Sequence, residues 1–220
     1  KGSGRTPGNY RIQKASGYAV GGYINGEVYG IGLCDVGGNV LEVEERFFTS
    51  GTTPGEIAIF FRDKRDSFLS RRPLAKDNYL GAGFGIVGPL RRTGGILMHP
   101  DLIPSWQIVP IKDYLEEEFK EQVALVPWAE CALIGELFFG TIKPQSTSML
   151  LWIDRGIGTA ISNNGQMNLD KPEQSSAIGH QVVNFKGPVC TCRKKGCLNA
   201  YGTIDSLLHN FQPLTQESDK

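Results

Sequence analysis

The sequence predicts a globular α/β protein, and three observations support that fold class. Apolar residues make up 40% of the 220 residues and charged residues 21%, a balance that provides a buried core and argues against disorder. Segments 18–24, 28–34 and 40–47 are short, apolar and mostly alternating, which predicts a three-stranded meander. The apolar run 79–87 predicts a buried strand of the parallel type.

Turn residues and helical patterns place the other elements. Asn25-Gly26 predicts a two-residue hairpin turn between the first two strands. Thr53-Pro54 fits the cap and first position of an amphipathic helix that extends to Arg71. Further elements are expected as helices at 111–122, 129–139 and 204–211, and as strands at 123–126, 148–154 and 159–162.

Charge and hydropathy exclude several classes of partner. Lys and Arg number 23 and Asp and Glu number 23, so the chain exerts no long-range attraction on nucleic acid or on anionic membranes. No stretch of 18 or more apolar residues predicts a membrane span. Residues 1–14 have no periodicity and predict a linker or, equally, a frayed terminus, without a secretory leader. The expected location is the cytoplasm.

Segment 176–201 contains a candidate metal site. His180, Cys190, Cys192 and Cys197 have the spacing H-x9-C-x-C-x4-C, and one imidazole with three thiolates completes the tetrahedral shell of a structural zinc ion. The alternative is one disulfide plus a free thiol, although Cys190 and Cys192 are too close for an easy bridge and an odd cysteine would remain. The pattern favours a metal in a reducing compartment, and zinc is the predicted cofactor.

The same segment resembles a family signature. The run GH…GPVCTC…GCLNAY is similar to the pattern E-I-G-H followed by C-x-C-G-x-x-G-C-L-E of the ROK family (repressors, open reading frames and sugar kinases). The resemblance extends more weakly over most of the chain and favours the repressor branch. The sequence departs from the signature at Ala177, where the family has Glu, at Arg193, where it has Gly, and at Asn199, where it has Glu.

The resemblance implies an architecture. ROK proteins have an actin-like ATPase (ribonuclease H-like) fold of two lobes with mixed sheets, which places the first lobe at 15–127 and the second at 128–220. Family members continue beyond the equivalent of residue 220, so the second lobe is expected to be incomplete here. Gly4 to Pro7 resembles the linker that joins a winged-helix domain in ROK repressors. Contact with DNA is therefore expected only through an upstream domain absent from this chain, and a homodimer or homotetramer is expected.

Two elements that hold nucleotide phosphates in ROK kinases depart from the family pattern. The kinase loop D-I-G-G-T corresponds to residues 23–27, where Tyr23 replaces the Asp and Glu27 replaces the Thr. A carboxylate facing a triphosphate is unfavourable at any plausible dielectric constant. The second loop, G-T-G-I-G, corresponds to 154–158, where Asp154 and Arg155 replace small residues. These departures argue against ATP binding.

The kinase general base is also replaced. The motif E-N-D-A-N corresponds to residues 126–130, with Pro127 for the Asn and Trp128 for the Asp. An indole cannot accept the proton of a sugar hydroxyl, so the resemblance predicts a protein that is not an enzyme. Trp128 would either stack against a ligand ring or plug the cleft. Glu130 follows two positions later on a helix and therefore points elsewhere.

The resemblance also indicates four candidate ligand-binding residues. Asp101 corresponds to an Asn that contacts sugar hydroxyls, although a turn role for Asp101 is the alternative. His180 keeps the residue type of the family's sugar contact, Asn199 replaces a Glu, and Trp128 completes the set.

Three functions are consistent with these residues. The leading hypothesis is a non-catalytic domain of a ROK-type transcriptional regulator that binds a sugar or related metabolite, oligomerises and holds a structural zinc ion. The second is a ROK sugar kinase with altered active-site residues. The third is a zinc-stapled scaffold that only dimerises.

Overall fold

The computed structural model describes residues 13–143, 146–167 and 177–210. Most of the predicted linker 1–14, Ser176 in the metal segment and the residues from Phe211 onward lie outside the described residues. Within the described ranges, no helix combines the length and apolar character that crossing a membrane requires.

In the described part of the chain the elements follow one another in this order: β1 (Tyr18–Ile24), β2 (Val28–Asp35), β3 (Val40–Phe47), α1 (Pro54–Ser70), α2 (Pro73–Asp77), β4 (Tyr79–Ile86), β5 (Leu90–Arg91), β6 (Ile96–Met98), β7 (Ile108–Val109), α3 (Ile111–Phe119), β8 (Ala124–Pro127), α4 (Trp128–Phe139), β9 (Ser148–Ile153), β10 (Ile157–Asn163), β11 (Gln166–Met167), α5 (Asn199–Gly202) and α6 (Ile204–Asn210). A short 3-10 turn spans Ala177–His180.

The largest sheet has the strand order β3-β2-β1-β4-β8. β1, β2 and β3 form the predicted antiparallel meander. β4 pairs parallel to β1, and β8 pairs parallel to β4. Because β1, β4 and β8 run in one direction, the residues that follow them emerge at the same edge of the sheet, where open α/β sheets bind ligands.

Helix α1 covers this sheet and begins where the sequence predicts. The Thr53 side chain accepts a hydrogen bond from the Glu56 N–H, and the Glu56 carboxylate accepts one from the Thr53 N–H. This capping box satisfies donors that the first helical turn otherwise leaves unpaired. The buried face of α1 includes Phe61, whose ring stacks on Phe84 of β4 at a centroid distance of 5.3 Å.

A second, smaller core lies under the antiparallel sheet β11-β10-β9. Ala129 and Leu133 of α4 pack against Ala160 of β10, with Leu150 and Trp152 of β9 beside them. Helix α4 also contacts β4 and β8, so its first turn lies between the two sheets.

Some boundaries differ by a few residues from the sequence prediction. The hairpin turn between β1 and β2 consists of Gly26 and Glu27, because the Asn25 N–H bonds to the Val28 carbonyl and Gly26 takes a φ of 89°. The Asn25 carboxamide oxygen accepts from the Glu27 and Val28 N–H groups, which moves the turn one residue along. Helix α3 ends at Phe119, since Lys120 adopts a left-handed φ of 54°.

Candidate ligand cavity and metal cluster

A cavity of about 900 Å³ opens at the edge of the large sheet. Asn25, Val87 and Trp128 line it, and each directly follows one of the parallel strands β1, β4 and β8. The wall opposite is formed by the β9–β10 turn and by the segment that holds the cysteines. All four candidate ligand-binding residues line this one cavity: Asp101, Trp128, His180 and Asn199.

The four predicted metal ligands lie together beside the cavity. The ligand atoms of His180, Cys190, Cys192 and Cys197 are all within 4.8 Å of one another. The Sγ atoms of Cys192 and Cys197 are 3.7 Å apart, and the Cys190 Sγ is 3.7 Å from His180 Nδ1. A tetrahedral zinc ion with Zn–S bonds of about 2.3 Å separates its sulfur ligands by roughly 3.8 Å. The four side chains therefore fit a metal ion of this kind.

Two left-handed residues shape the loops that carry the cysteines. Gly196 has a φ of 71°, and a β-carbon there would lie 1.6 Å from the Asn184 carbonyl oxygen, so only glycine fits. Arg193 has a φ of 67°, which a residue with a side chain rarely adopts. The Arg193 N–H donates to the Cys190 carbonyl oxygen at 2.8 Å. This hydrogen bond closes a tight turn over residues 190–193, which contains Cys192.

The cysteines are thiols. The 3.7 Å between Cys192 and Cys197 far exceeds the disulfide S–S length of about 2.05 Å, and Cys34, Cys131 and Cys190 are also unbridged. Burial, together with the neighbouring sulfurs, raises the pKa of the Cys197 thiol to about 12. A divalent cation bound here would supply the positive charge that favours the thiolate form of the three cysteines.

Asp101 joins the metal cluster to the cavity. Its Oδ2 atom lies 3.2 Å from His180 Nε2 and accepts a hydrogen bond from Thr191 Oγ1 at 3.1 Å. Thr191 stands between Cys190 and Cys192, so one carboxylate oxygen contacts the segment at two points. Asp101 also lies in a turn, which is the alternative role that the sequence leaves open, and it lines the cavity, while its contact with a ligand stays a prediction.

Three aromatic rings meet beside the cavity. The centroid of Trp128 is 5.4 Å from that of Tyr23 and 5.6 Å from that of Trp152, both in edge-to-face geometry. Trp128 and Trp152 line the cavity, and both are half-buried. Trp128 thus both packs against other rings and borders the cavity.

Asn199 holds the β9–β10 turn. Its Oδ1 atom accepts a hydrogen bond from the Ile157 N–H at 3.0 Å, so the carboxamide oxygen is used within the protein. Arg155, in the same turn, pairs through Nε with Asp205 of α6 at 3.1 Å. This ion pair borders the cavity at the position that resembles the second phosphate loop.

Glu130 lies away from the cavity wall. Its carboxylate forms an ion pair with Arg92, and the Glu130 side chain is only 5% exposed. The helical offset from Trp128 explains this orientation, as the sequence predicts.

Sequence reasoning missed three residues of the site. Trp152 follows the alternation of β9, which placed it on a strand but gave no reason to assign it to a ligand cavity. Thr191 and Asp205 reach the site through contacts 90 and 50 positions away in sequence, and no local pattern signals such pairs.

Among curated proteins, the chain is similar to repressors and to kinases. It is 26% identical over 214 residues to the xylose repressor of Bacillus subtilis strain 168, covering 95% of this chain and 54% of that protein. It is 32% identical over 146 residues to the glucokinase of Halalkalibacterium halodurans, covering 66% of this chain and 44% of that protein. The chain thus spans about half the length of the curated relatives it matches.

Solved structures of both kinds share the fold. A ROK hexokinase from Thermus thermophilus superimposes with a TM-score of 0.70 at 24% identity, covering 88% of this chain and 62% of that one. A ROK family transcriptional regulator, a homologue of the E. coli MLC protein, superimposes with a TM-score of 0.72 at 16% identity, covering 90% of this chain and 49% of that one. These likenesses confirm the predicted actin-like α/β fold. The family model described as "ROK family" matches residues 25–218, and the chain therefore belongs to the ROK family.

Proposed function

We propose that this chain is the non-catalytic, effector-binding and oligomerisation part of a ROK-type transcriptional regulator, with a structural zinc ion held by His180 and the three clustered cysteines. The observation that carries the proposal is that Trp128 directly follows β8, at the position where the kinase motif has its general base. Indole has no basic group to take a hydroxyl proton, and loss of a general base typically slows a reaction by about 10²–10⁴-fold.

The two turns that resemble the kinase phosphate loops support the same proposal. Glu27 occupies the β1–β2 turn that resembles the first phosphate loop, and a carboxylate there repels a triphosphate. Arg155 and Asp205 form an ion pair at the second loop, where kinases have small residues. Phosphoryl transfer depends on positioning the phosphates and their metal ion, so these changes act in addition to the loss of the base.

The cavity chemistry favours a sugar or a related metabolite as the effector. Asp101 and Asn199 offer carboxylate and amide groups for hydroxyl hydrogen bonds, and the Trp128 indole offers an apolar face for the C–H side of a ring. The relatives named as xylose repressors make D-xylose the first candidate. In the same picture the regulator contacts DNA only through a separate domain.

Effector binding would act by shifting the population of arrangements of the two lobes, whose boundary we place between Pro127 and Trp128. The packing of α4 against β9 and β10 supports that boundary. A ligand changes this equilibrium only by the difference in its affinity for the two states. A homodimer or homotetramer would carry the change to a bound DNA site.

Titration calorimetry tests the effector proposal. The purified chain is titrated with D-xylose, D-glucose, N-acetylglucosamine and their phosphate esters, and one of them is expected to give saturable heat. Trp128→Ala should weaken that binding, whereas the exposed Asp77→Asn, far from the cavity, should leave it unchanged. If none of the sugars or sugar phosphates gives heat, the effector proposal fails.

A second candidate is an altered ROK sugar kinase, which the glucokinase similarity favours. Sugar-dependent conversion of ATP to ADP by the purified chain would establish it. A third is a scaffold that binds no small molecule but is dimeric by light scattering.

A further inference from the structure

We infer that Asp101 is a positioning residue for the metal ligand His180, and that it couples occupancy of the metal cluster to the shape of the cavity wall. The inference rests on the proposal that the four clustered side chains hold a metal ion. It concerns a residue outside the metal segment, on the turn between β6 and β7.

The two nitrogens of the His180 ring face different neighbours. Nδ1 is 3.7 Å from Cys190 Sγ, which makes it the nitrogen on the side of the thiol cluster. Nε2 is 3.2 Å from the Asp101 Oδ2 atom. A metal ion bound through Nδ1 leaves the single ring proton of a neutral imidazole on Nε2, where it donates to the carboxylate.

Such a carboxylate does three things for a metal-ligating histidine. It fixes the tautomer, holds the plane of the ring and makes the metal-facing nitrogen a stronger donor. Asp101 meets the geometric requirement because its oxygen lies within hydrogen-bond distance of Nε2. The His180 and Asp101 side chains are each 28% exposed, so water competes only in part for this contact.

Thr191 strengthens the argument with an independent contact. Its hydroxyl donates to the same Asp101 oxygen at 3.1 Å, and it lies between two of the cysteines. Asp101 therefore orients the imidazole and the loop that carries the thiols at the same time. Since Asp101 also lines the cavity, binding of a metal ion and the position of this wall are linked, and the linkage is reciprocal.

Metal affinity of Asp101 variants tests the inference. Zinc binding is measured by competition with a chromophoric chelator for the wild type, Asp101→Ala, Asp101→Asn and the control Asp77→Asn. Loss of an outer partner of a metal-bound histidine weakens binding by roughly 10–100-fold, which we expect for Asp101→Ala. Asp101→Asn keeps an acceptor oxygen and should recover part of the affinity, and Asp77→Asn should match the wild type.

A spectroscopic measurement separates this role from that of a turn residue. In the zinc-loaded wild type, the His180 Nε2–H proton should exchange slowly with water and resonate downfield in ¹H–¹⁵N spectra, because it is bonded to a carboxylate. In Asp101→Ala it should exchange fast. If Asp101 were only a turn residue, Asp101→Ala and Asp101→Asn would lower the free energy of unfolding. Neither variant would change the zinc affinity or the exchange rate of the His180 Nε2–H proton.

The outcomes decide between the proposals. If the wild type binds zinc and both Asp101→Ala and Asp101→Asn bind it with wild-type affinity, the inference about Asp101 is overturned while the metal proposal stands. If the freshly reduced wild type binds no metal, both fail. Should Asp101→Ala not fold, the ratio between Asp101→Asn and the wild type gives the same decision.

Discussion

The rings of Tyr23 and Trp128 meet edge to face, with their centroids 5.4 Å apart. Tyr23 lies on β1 and Trp128 begins α4, so the contact joins the two positions that resemble the phosphate-loop Asp and the general base of ROK kinases. Trp152 of β9 continues the contact at 5.6 Å. Aromatic packing therefore occupies the two positions that resemble the carboxylates of ROK kinases.

Truncation of Trp128 should destabilise the fold. Each edge-to-face ring pair contributes about 0.5–1.5 kcal/mol, so Trp128→Ala should lower the free energy of unfolding by roughly 1–3 kcal/mol through its two pairs. Trp128→Phe keeps an aromatic ring, so its free energy of unfolding should fall by less. Urea unfolding measures both. Equal stability of Trp128→Ala and the wild type would contradict the packing role.

Cys192→Ser should abolish metal binding. Elemental analysis of the reduced wild type should find about one zinc per chain, and the variant should contain little, because a serine hydroxyl is a poor zinc ligand. The melting temperature should fall with the metal, since a ligand that binds only the folded state stabilises it.

Cys34→Ser serves as the control, because Cys34 lies on β2, outside the metal cluster, and its thiol donates to the Ala19 carbonyl oxygen. Zinc loading and melting behaviour of this variant should equal those of the wild type. Zinc retained at wild-type levels by Cys192→Ser would remove that residue from the ligand set.

Arg193→Gly should stabilise the chain. Arg193 holds a φ of 67°, and a non-glycine residue in the left-handed region carries a strain of about 1 kcal/mol or more. Relief of that strain exceeds the added flexibility of glycine in the unfolded state, so we expect a gain of roughly 0.5–1 kcal/mol in urea unfolding of the metal-loaded protein. Arg193→Ala keeps the strain and should show no gain.

Glu130→Gln should destabilise the protein without affecting ligand affinity. Glu130 is 5% exposed and paired with Arg92, whose side chain is 16% exposed. Breaking a buried ion pair leaves an uncompensated charge and typically costs about 3–5 kcal/mol. The exposed Glu117→Gln is the control and should change stability little. A loss of sugar binding in Glu130→Gln would instead assign Glu130 to the cavity.

Local patterns predicted much of the fold because they act over few residues. Thr53 and Pro54 predicted the start of α1, where the structure shows a capping box, and apolar alternation predicted β1 to β3. Residue spacing likewise predicted that His180 and the three cysteines come together. The predicted turn at Asn25-Gly26 lies one residue further along in the structure, at Gly26 and Glu27. The Asn25 side chain accepts hydrogen bonds from the backbone there and so moves the turn.

The contacts that define the cavity could not be predicted locally. Asp101 meets Thr191 across 90 positions of sequence, and Asn199 caps the Ile157 N–H across 42. Such pairs depend on how the sheets pack against each other, which residue spacing does not encode. The resemblance placed Asp101, Trp128, His180 and Asn199 as ligand residues, and whether they bind a ligand stays a prediction.

The measurement that tests the central claim most directly is a coupled assay of ADP formation, run with each sugar that binds in calorimetry. The account predicts that the sugar binds saturably and that ADP formation with ATP and Mg²⁺ stays at the level without sugar, in the wild type and in Trp128→Ala. Sugar-dependent ADP formation by the wild type would contradict the account and identify the chain as a kinase.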